Sequence, residues 1–118
     1  MNIEWSSFHR LTSENIQSYV PTSAGVYLLW LQLKDENWRC YYVGQCENLE
    51  RRLSDHLSTS EPNACIKNHI DNHINGFECA KVGRQSDRDG IEKFLYDHYS
   101  PECNIQDPGG TPIPVNIP

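Results

Sequence analysis

The chain has no excess of positive charge. Its 118 residues carry 10 Lys and Arg against 16 Asp and Glu, a formal net charge of -6. That balance excludes the global footprint of a high-affinity nucleic-acid binder and leaves open a local basic groove. The deficit is uneven: residues 1–38 carry -2, residues 39–88 are neutral, and residues 89–118 carry -4. No apolar run approaches the roughly 20 residues needed to span a bilayer. The opening MNIEWSSFHR lacks the apolar stretch of a secretory signal, so no membrane association is expected. The five cysteines are odd in number and include no CxxC pair, which argues against a disulfide framework or a zinc ribbon. Reduced thiols in a cytoplasmic protein are the expectation. Gly25 and Gly44 are too isolated to form a phosphate-cradling loop, and no HExxH pattern occurs. Internal repeats and low-complexity blocks are also missing.

What is present has the size of one ordinary domain, 1–118, long enough to bury a core. Thr12, Ser13 and Glu14 before IQSYV mark a short helix that Pro21 ends. Residues 24–33 are apolar at both alternating positions until Gln32, the pattern of a strand covered on two faces. KDENW (34–38) is a polar turn, and residues 39–45 complete a hairpin. Asn48 caps a helix in which Leu49, Leu53 and Leu57 make a core stripe. Residues 64–74 form a third helix ended by Asn75-Gly76, residues 77–83 a third strand, and residues from about 86 to 100 a last helix stopped by Pro101. The fold class is therefore α/β in the broad sense (α+β): a small three-stranded, largely antiparallel sheet flanked by helices. A helical segment (1–21) precedes the core (about 24–105). A Pro/Gly-rich tail (106–118), too irregular for helix or strand, is expected to wrap the surface or lead to a partner.

Within this frame a few residues could carry chemistry. Arg52 and His56 are four apart on the helix from Asn48, one residue round from the leucine stripe. A guanidinium there offers planar donors to a phosphate, and an imidazole beside it can move a proton near neutral pH. From spacing alone a snorkelling arginine and a surface histidine are the plainer reading. Arg51 and Asp55 have the spacing of a weak surface ion pair. Glu92 stands at the border of the buried face of the last helix. A hard cation such as Mg²⁺ needs few protein ligands, so one carboxylate can suffice; helix-dipole chemistry is the plainer reading. Tyr27, Tyr41 and Tyr42 read as core tyrosines with satisfied hydroxyls. His69 and His73, four apart, read as a solvated face.

Taken in order, Gly25-Val26-Tyr27, Tyr42-Val43-Gly44, Arg52, His56, Glu92 and Asn104 resemble the motif series of the GIY-YIG nuclease family, which includes homing endonucleases, some restriction enzymes and the incision subunit of bacterial nucleotide-excision repair. The resemblance implies a divalent-metal-dependent endonuclease hydrolysing DNA phosphodiester bonds. It assigns Glu92 to a single Mg²⁺ or Mn²⁺ ion, Arg52 to charge on the phosphate, Tyr27 to the attacking water with help from a nearby cation or His56, Tyr42 to the phosphate or the water, and Asn104 to bracing the site. Valine replaces isoleucine in both tripeptides, Gln45 stands where a lysine is common, and a longer hairpin turn is expected to push Trp38 outward. The implied substrate is DNA, duplex or branched. Without an appended DNA-binding domain, the reading is a stand-alone nuclease of low specificity, a homodimer, or a subunit recruited by a larger DNA-binding protein. An alternative is a catalytically weak nucleic-acid- or protein-binding module that keeps the nuclease fold, and a third is a Cys/His metal sensor.

Overall fold

A computed structural model describes residues 1–118. In chain order the elements are β1 (His9–Arg10), α1 (Ser13–Tyr19), β2 (Gly25–Gln32), β3 (Trp38–Cys46), α2 (Leu49–His56), α3 (Ala64–Asn72), β4 (Asn75–Lys81) and α4 (Gln85–Tyr99). The sheet has four strands in the order β1-β4-β2-β3, every pair antiparallel. This corrects the expected three strands. The addition, β1, is a two-residue pairing of His9 with Phe77 and Arg10 with Gly76, too short to leave a period of two in the sequence.

The central strand β2 is covered on both faces, as its unbroken apolar run requires. Tyr27, Leu29 and Leu31 face Ile16 of α1, Leu49 and Leu53 of α2, and Ile66 of α3. Val26 and Leu28 face Ile91 and Leu95 of α4, with Val115 of the tail. Three helices thus cover one face and α4 the other. Each of the first three helices starts at a side-chain cap: Thr12, Asn48 and Asn63 accept from the backbone N–H three residues on. The tail does wrap the surface. Ile113 lies over Gly90 and donates its N–H to the Gly90 carbonyl, and Asn116 bonds Ile3 through its side chain and Trp5 through its carbonyl.

One irregularity decides where two side chains go. Between β2 and β3 the register passes from Leu29↔Tyr42 to Trp30↔Cys40, which leaves Tyr41 as an extra residue on β3. A bulge of this kind breaks the alternation of faces. Tyr41 and Tyr42, adjacent in sequence, consequently both lie on the helix α1–α3 side.

Further departures are local. Asn75-Gly76 does not end a helix; it opens β4, and α3 stops at Asn72. Trp38 does not protrude but begins β3 and packs edge-on against Phe8, ring centroids 4.8 Å apart. Asp55 makes no ion pair with Arg51; the ion pairs lie elsewhere. Cys65 and Cys103 are joined in a disulfide, which corrects the expectation of reduced thiols, while Cys40, Cys46 and Cys79 are free. The odd count and wide spacing concealed the pair, since the fold alone brings residues 38 apart together.

Asn75 is a buried polar hub. It accepts from the Tyr41 hydroxyl and donates to the carbonyls of His69 and His73, tying the end of α3 to the sheet. Asn75→Ala strands these partners in an apolar setting and should cost about 2–3 kcal/mol, read as a lowered urea midpoint with an unchanged slope.

Candidate active site

The six residues singled out above come to one edge of the sheet. β3 is the edge strand, so groups from both covering layers can meet across it. Tyr27 of β2 stands opposite Gly44 of β3. A Cβ on residue 44 would collide with the Tyr27 ring, so only glycine leaves room for the phenol there. The Tyr27 hydroxyl is 2.7 Å from Nε2 of His56, and His56 Nδ1 is 2.9 Å from a carboxylate oxygen of Glu61. The other Glu61 oxygen accepts from the Asn63 N–H. With Glu61 as a carboxylate, Nδ1 carries the imidazole proton and Nε2 is an acceptor. The Tyr27 hydroxyl then donates to Nε2.

The electrostatics agree with that assignment. Burial, and then the Arg52 charge, lower the His56 pKa from its usual value, and Glu61 opposes them. Burial chiefly, with Tyr42 beside it, pushes the Tyr27 phenol well above its usual range, while Arg52 pulls the other way. At rest the pair is a neutral phenol on a neutral imidazole. His56 therefore is not the surface residue its spacing allowed: it is 1 % exposed.

Tyr42, half-buried, joins the same group. Its ring lies 6.1 Å from that of Tyr27 and 5.6 Å from that of His56, between centroids. Arg52 projects from α2 with no ion-pair partner, and its guanidinium lies against Tyr27 and Tyr42, where its charge and hydrogen bonding pull both phenols down. Arg51, its neighbour, is exposed.

Glu92 comes from α4, on the opposite face of the sheet, and lines a cleft with Tyr42, Asn63 and Asn104 around the β3 edge. Its half-buried carboxylate has no ion-pair partner, and the one lysine nearby in sequence, Lys93, is engaged with Asp97 and Asp107. Burial, and then Asp89, push its pKa from 4.5 to about 7. Asn104 is fully used in the fold. Its amide accepts from the Val43 N–H at 3.0 Å and donates to the Val43 carbonyl at 2.8 Å, closing the free edge of β3 next to Tyr42.

Three residues were not singled out by their spacing. Glu61 lies in the irregular link between α2 and α3, where no period marks it. Asn63 caps α3 and also donates to the Cys103 carbonyl. Arg88 is buried, and its guanidinium is spent on the Val82 and Gly83 carbonyls and on Gln45 and Gln85. It fastens α4 to the link after β4 and to β3, and its guanidinium is fully engaged there. Gln45, at the position after Gly44, donates to Asp89 and is held by Gln85 and Arg88.

A hard divalent cation fits this donor set. An unpaired carboxylate that burial holds near neutrality is stabilised by an arriving cation, and oxygen donors suit Mg²⁺ or Mn²⁺. His69, expected on a solvated face, is instead buried and bonded to Glu102. No helix is long and apolar enough to cross a membrane.

Among solved structures the chain is similar to the GIY-YIG N-terminal endonuclease domain of UvrC from Thermotoga maritima, with a TM-score of 0.56 and 22% identity over 78% of this chain and 93% of that one. At that identity the likeness is one of fold. No curated protein matches the chain. The GIY-YIG catalytic domain model matches residues 23–104, which include every candidate position. That span is most of the sequence, and the chain belongs to the GIY-YIG catalytic-domain family.

Proposed function

We propose that this nuclease domain hydrolyses DNA phosphodiester bonds using one divalent cation, Mg²⁺ or Mn²⁺. The observation that carries this reading is the convergence at one sheet edge of an unpaired carboxylate, a guanidinium with no carboxylate partner and a phenol already hydrogen-bonded to a neutral imidazole. These are complementary to an anionic phosphodiester and an attacking water. The solved UvrC domain from Thermotoga maritima is bound to magnesium as its catalytic divalent cation, which supports the choice of ion.

Glu92 would hold the ion, which when bound offsets charge on the phosphate and the leaving 3′ oxygen. The remaining steps belong to the chain. Tyr27 passes its proton to His56 Nε2 as it takes one from the water, and Glu61 stabilises the imidazolium that forms. The water oxygen bonds to phosphorus and the bond to the 3′ oxygen breaks. Arg52 faces the added negative charge. Tyr42 donates to a phosphate oxygen. Asn104 acts indirectly, by fixing the backbone beside Tyr42.

The substrate in this reading is duplex or branched DNA, met by a local surface rather than a basic face. Residues 1–118 act as one working unit, alone, as a homodimer, or recruited by a larger DNA-binding protein. A second reading, a binding module with little turnover, is favoured by the net charge of -6 and by Gln45, tied to Asp89, where a cation would contact phosphate. Binding of DNA across salt with no cleavage of linear, supercoiled, branched or single-stranded substrates would decide for that reading.

Glu92→Gln should lower metal-dependent nicking of supercoiled DNA by at least about two to three orders of magnitude. Full activity in this variant, or cleavage in chelator, excludes the main reading. The same substitution has a stability signature. The folded protein holds the Glu92 proton more tightly than the unfolded chain, so the metal-free protein loses stability as pH rises from 4.5 to about 7. Glu92→Gln should remove that decline from the pH profile of Tm, and Mg²⁺ should restore wild-type Tm above that window.

Tyr27→Phe removes only the hydroxyl and should cost about 10²–10⁴ in cleavage rate with little change in the DNA-binding constant. Glu61→Gln should cost less and shift the acid limb of the pH–rate profile, because it alters the imidazolium and leaves the phenol in place. An unchanged profile would remove Glu61 from the relay.

A further inference from the structure

A second constellation lies apart from the cleft, around the Cys65–Cys103 pair. Cys65 is on α3 and Cys103 in the turn after α4, with Cα atoms 5.4 Å apart. His69 stands one helical turn beyond Cys65. Its Nε2 is 2.8 Å from a Glu102 carboxylate oxygen. A carboxylate only accepts, so Nε2 carries the proton and Nδ1 carries the lone pair. Nδ1 is also the one buried side-chain polar atom in the chain without a hydrogen-bond partner. A ring nitrogen of His69 and the two sulfurs all lie within 4.8 Å of one another. Since Glu102 occupies Nε2, the nitrogen free to serve there is Nδ1.

An orphaned imidazole lone pair beside two sulfurs, with its far nitrogen fixed by a carboxylate, is the arrangement of a metal-ligating histidine and its orienting partner. We propose that this is a redox-gated Zn²⁺ site: in the reduced protein the Cys65 and Cys103 thiolates and His69 Nδ1 hold one zinc ion, with water completing a tetrahedral set. Two thiolates and an imidazole are soft enough to select Zn²⁺ over the hard cation suited to Glu92.

Opening the disulfide needs an external dithiol reductant. One of its thiolates attacks Cys65, the less buried of the two cysteines, forming a mixed disulfide and releasing Cys103 as thiolate. The second reductant thiol then displaces Cys65, and the reductant leaves as a disulfide. Two electrons pass to the protein sulfurs, both thiol protons of the reductant go to solvent, and Zn²⁺ balances the two thiolates.

The location gives the exchange a structural consequence. Cys103 donates its N–H to the Tyr41 carbonyl, accepts from Asn63, and immediately precedes Asn104. Disulfide and zinc each fasten this turn to α3, whereas the reduced, metal-free form has neither link.

Co²⁺ is the probe. It would be titrated into the full chain under anaerobic conditions, once after reduction with the reductant removed and once in the oxidised state. Reduced wild type should bind one equivalent with thiolate-to-cobalt charge transfer and tetrahedral d–d bands, and the oxidised protein should show neither. This comparison requires no substitution. Cys65→Ser with Cys103→Ser should abolish the bands. Glu102→Gln should weaken Co²⁺ affinity about 10–100-fold while leaving the band shape unchanged. Glu92→Gln should leave both unchanged, which separates this site from the nuclease reading. Tm of the reduced protein should fall on chelation and recover with stoichiometric Zn²⁺. Reduced wild type that gives only an octahedral spectrum without charge transfer overturns the proposal, as do tetrahedral bands that persist in the double serine variant.

Discussion

A phenol ring must lie flat across the neighbouring strand if the Tyr27 hydroxyl is to reach His56, and residue 44 has no side chain to stop it. The pairing of Tyr27 with Gly44 is therefore the contact on which the site depends. It couples two things that are otherwise independent, the register of the β2–β3 hairpin and the geometry of the Tyr27–His56 hydrogen bond. A slip of one residue would turn Tyr27 to the α4 side and break the contact with α2. The two aromatic-and-glycine tripeptides are complementary for this reason: the tyrosine of one needs the glycine of the other.

The second organising feature is the edge position of β3. A site between two layers of a sandwich would be closed to a polymer, and a site on one face could recruit groups from only one layer. At the edge, α2 supplies Arg52 and His56 from one face while α4 supplies Glu92 from the other. An edge strand carries unpaired backbone groups, which is a liability. Here Cys103 satisfies the Tyr41 carbonyl and Asn104 both groups of Val43, so this part of the edge is closed by a turn rather than by another strand. The bulge at Tyr41 completes the arrangement. It sends Tyr41 into the core against Asn75 and still leaves Tyr42 on the face that meets His56.

Much of this was legible in particular residues. The double-sided run from Val26 to Leu31, the leucine stripe at 49, 53 and 57, and the caps at Thr12 and Asn48 specify local structure through side-chain chemistry and period, and the folded chain follows them. The ordered series from Gly25 to Asn104 carried the candidate site. What escaped has a common cause: it depends on contacts between distant segments. Glu61 sits in a link without period, and only the fold shows that it lies against His56. β1 is defined by its partner, not by its two residues. Cys65 and Cys103 share no motif spacing, and His69 looks solvated on a helical wheel until Glu102 and Tyr41 are placed beside it. The bulge, too, cannot be read from strand alternation, because it is the place where alternation fails.

The charges of the site follow from this packing in a way that the net charge of the chain conceals. Arg52 is held at the rim without a carboxylate partner, although the protein has six more acidic than basic groups. Glu92 is likewise unpaired, although Arg52 influences the same tyrosine. Two opposite charges at one strand edge that do not neutralise each other cost stability, since pairing would relieve the desolvation of Glu92. Sequence redundancy does not compensate for this, because nearby Lys93, Arg88 and Gln45 are all committed to other partners. The separation is set by β3, which stands between α2 and α4 and keeps each charge on its own side of Tyr42. In the proposed function a phosphate would lie toward Arg52 and a cation toward Glu92, and the two charges would be satisfied together. The hydrogen bonds of Asn104 to Val43 close the β3 edge beside Tyr42, between the two charges.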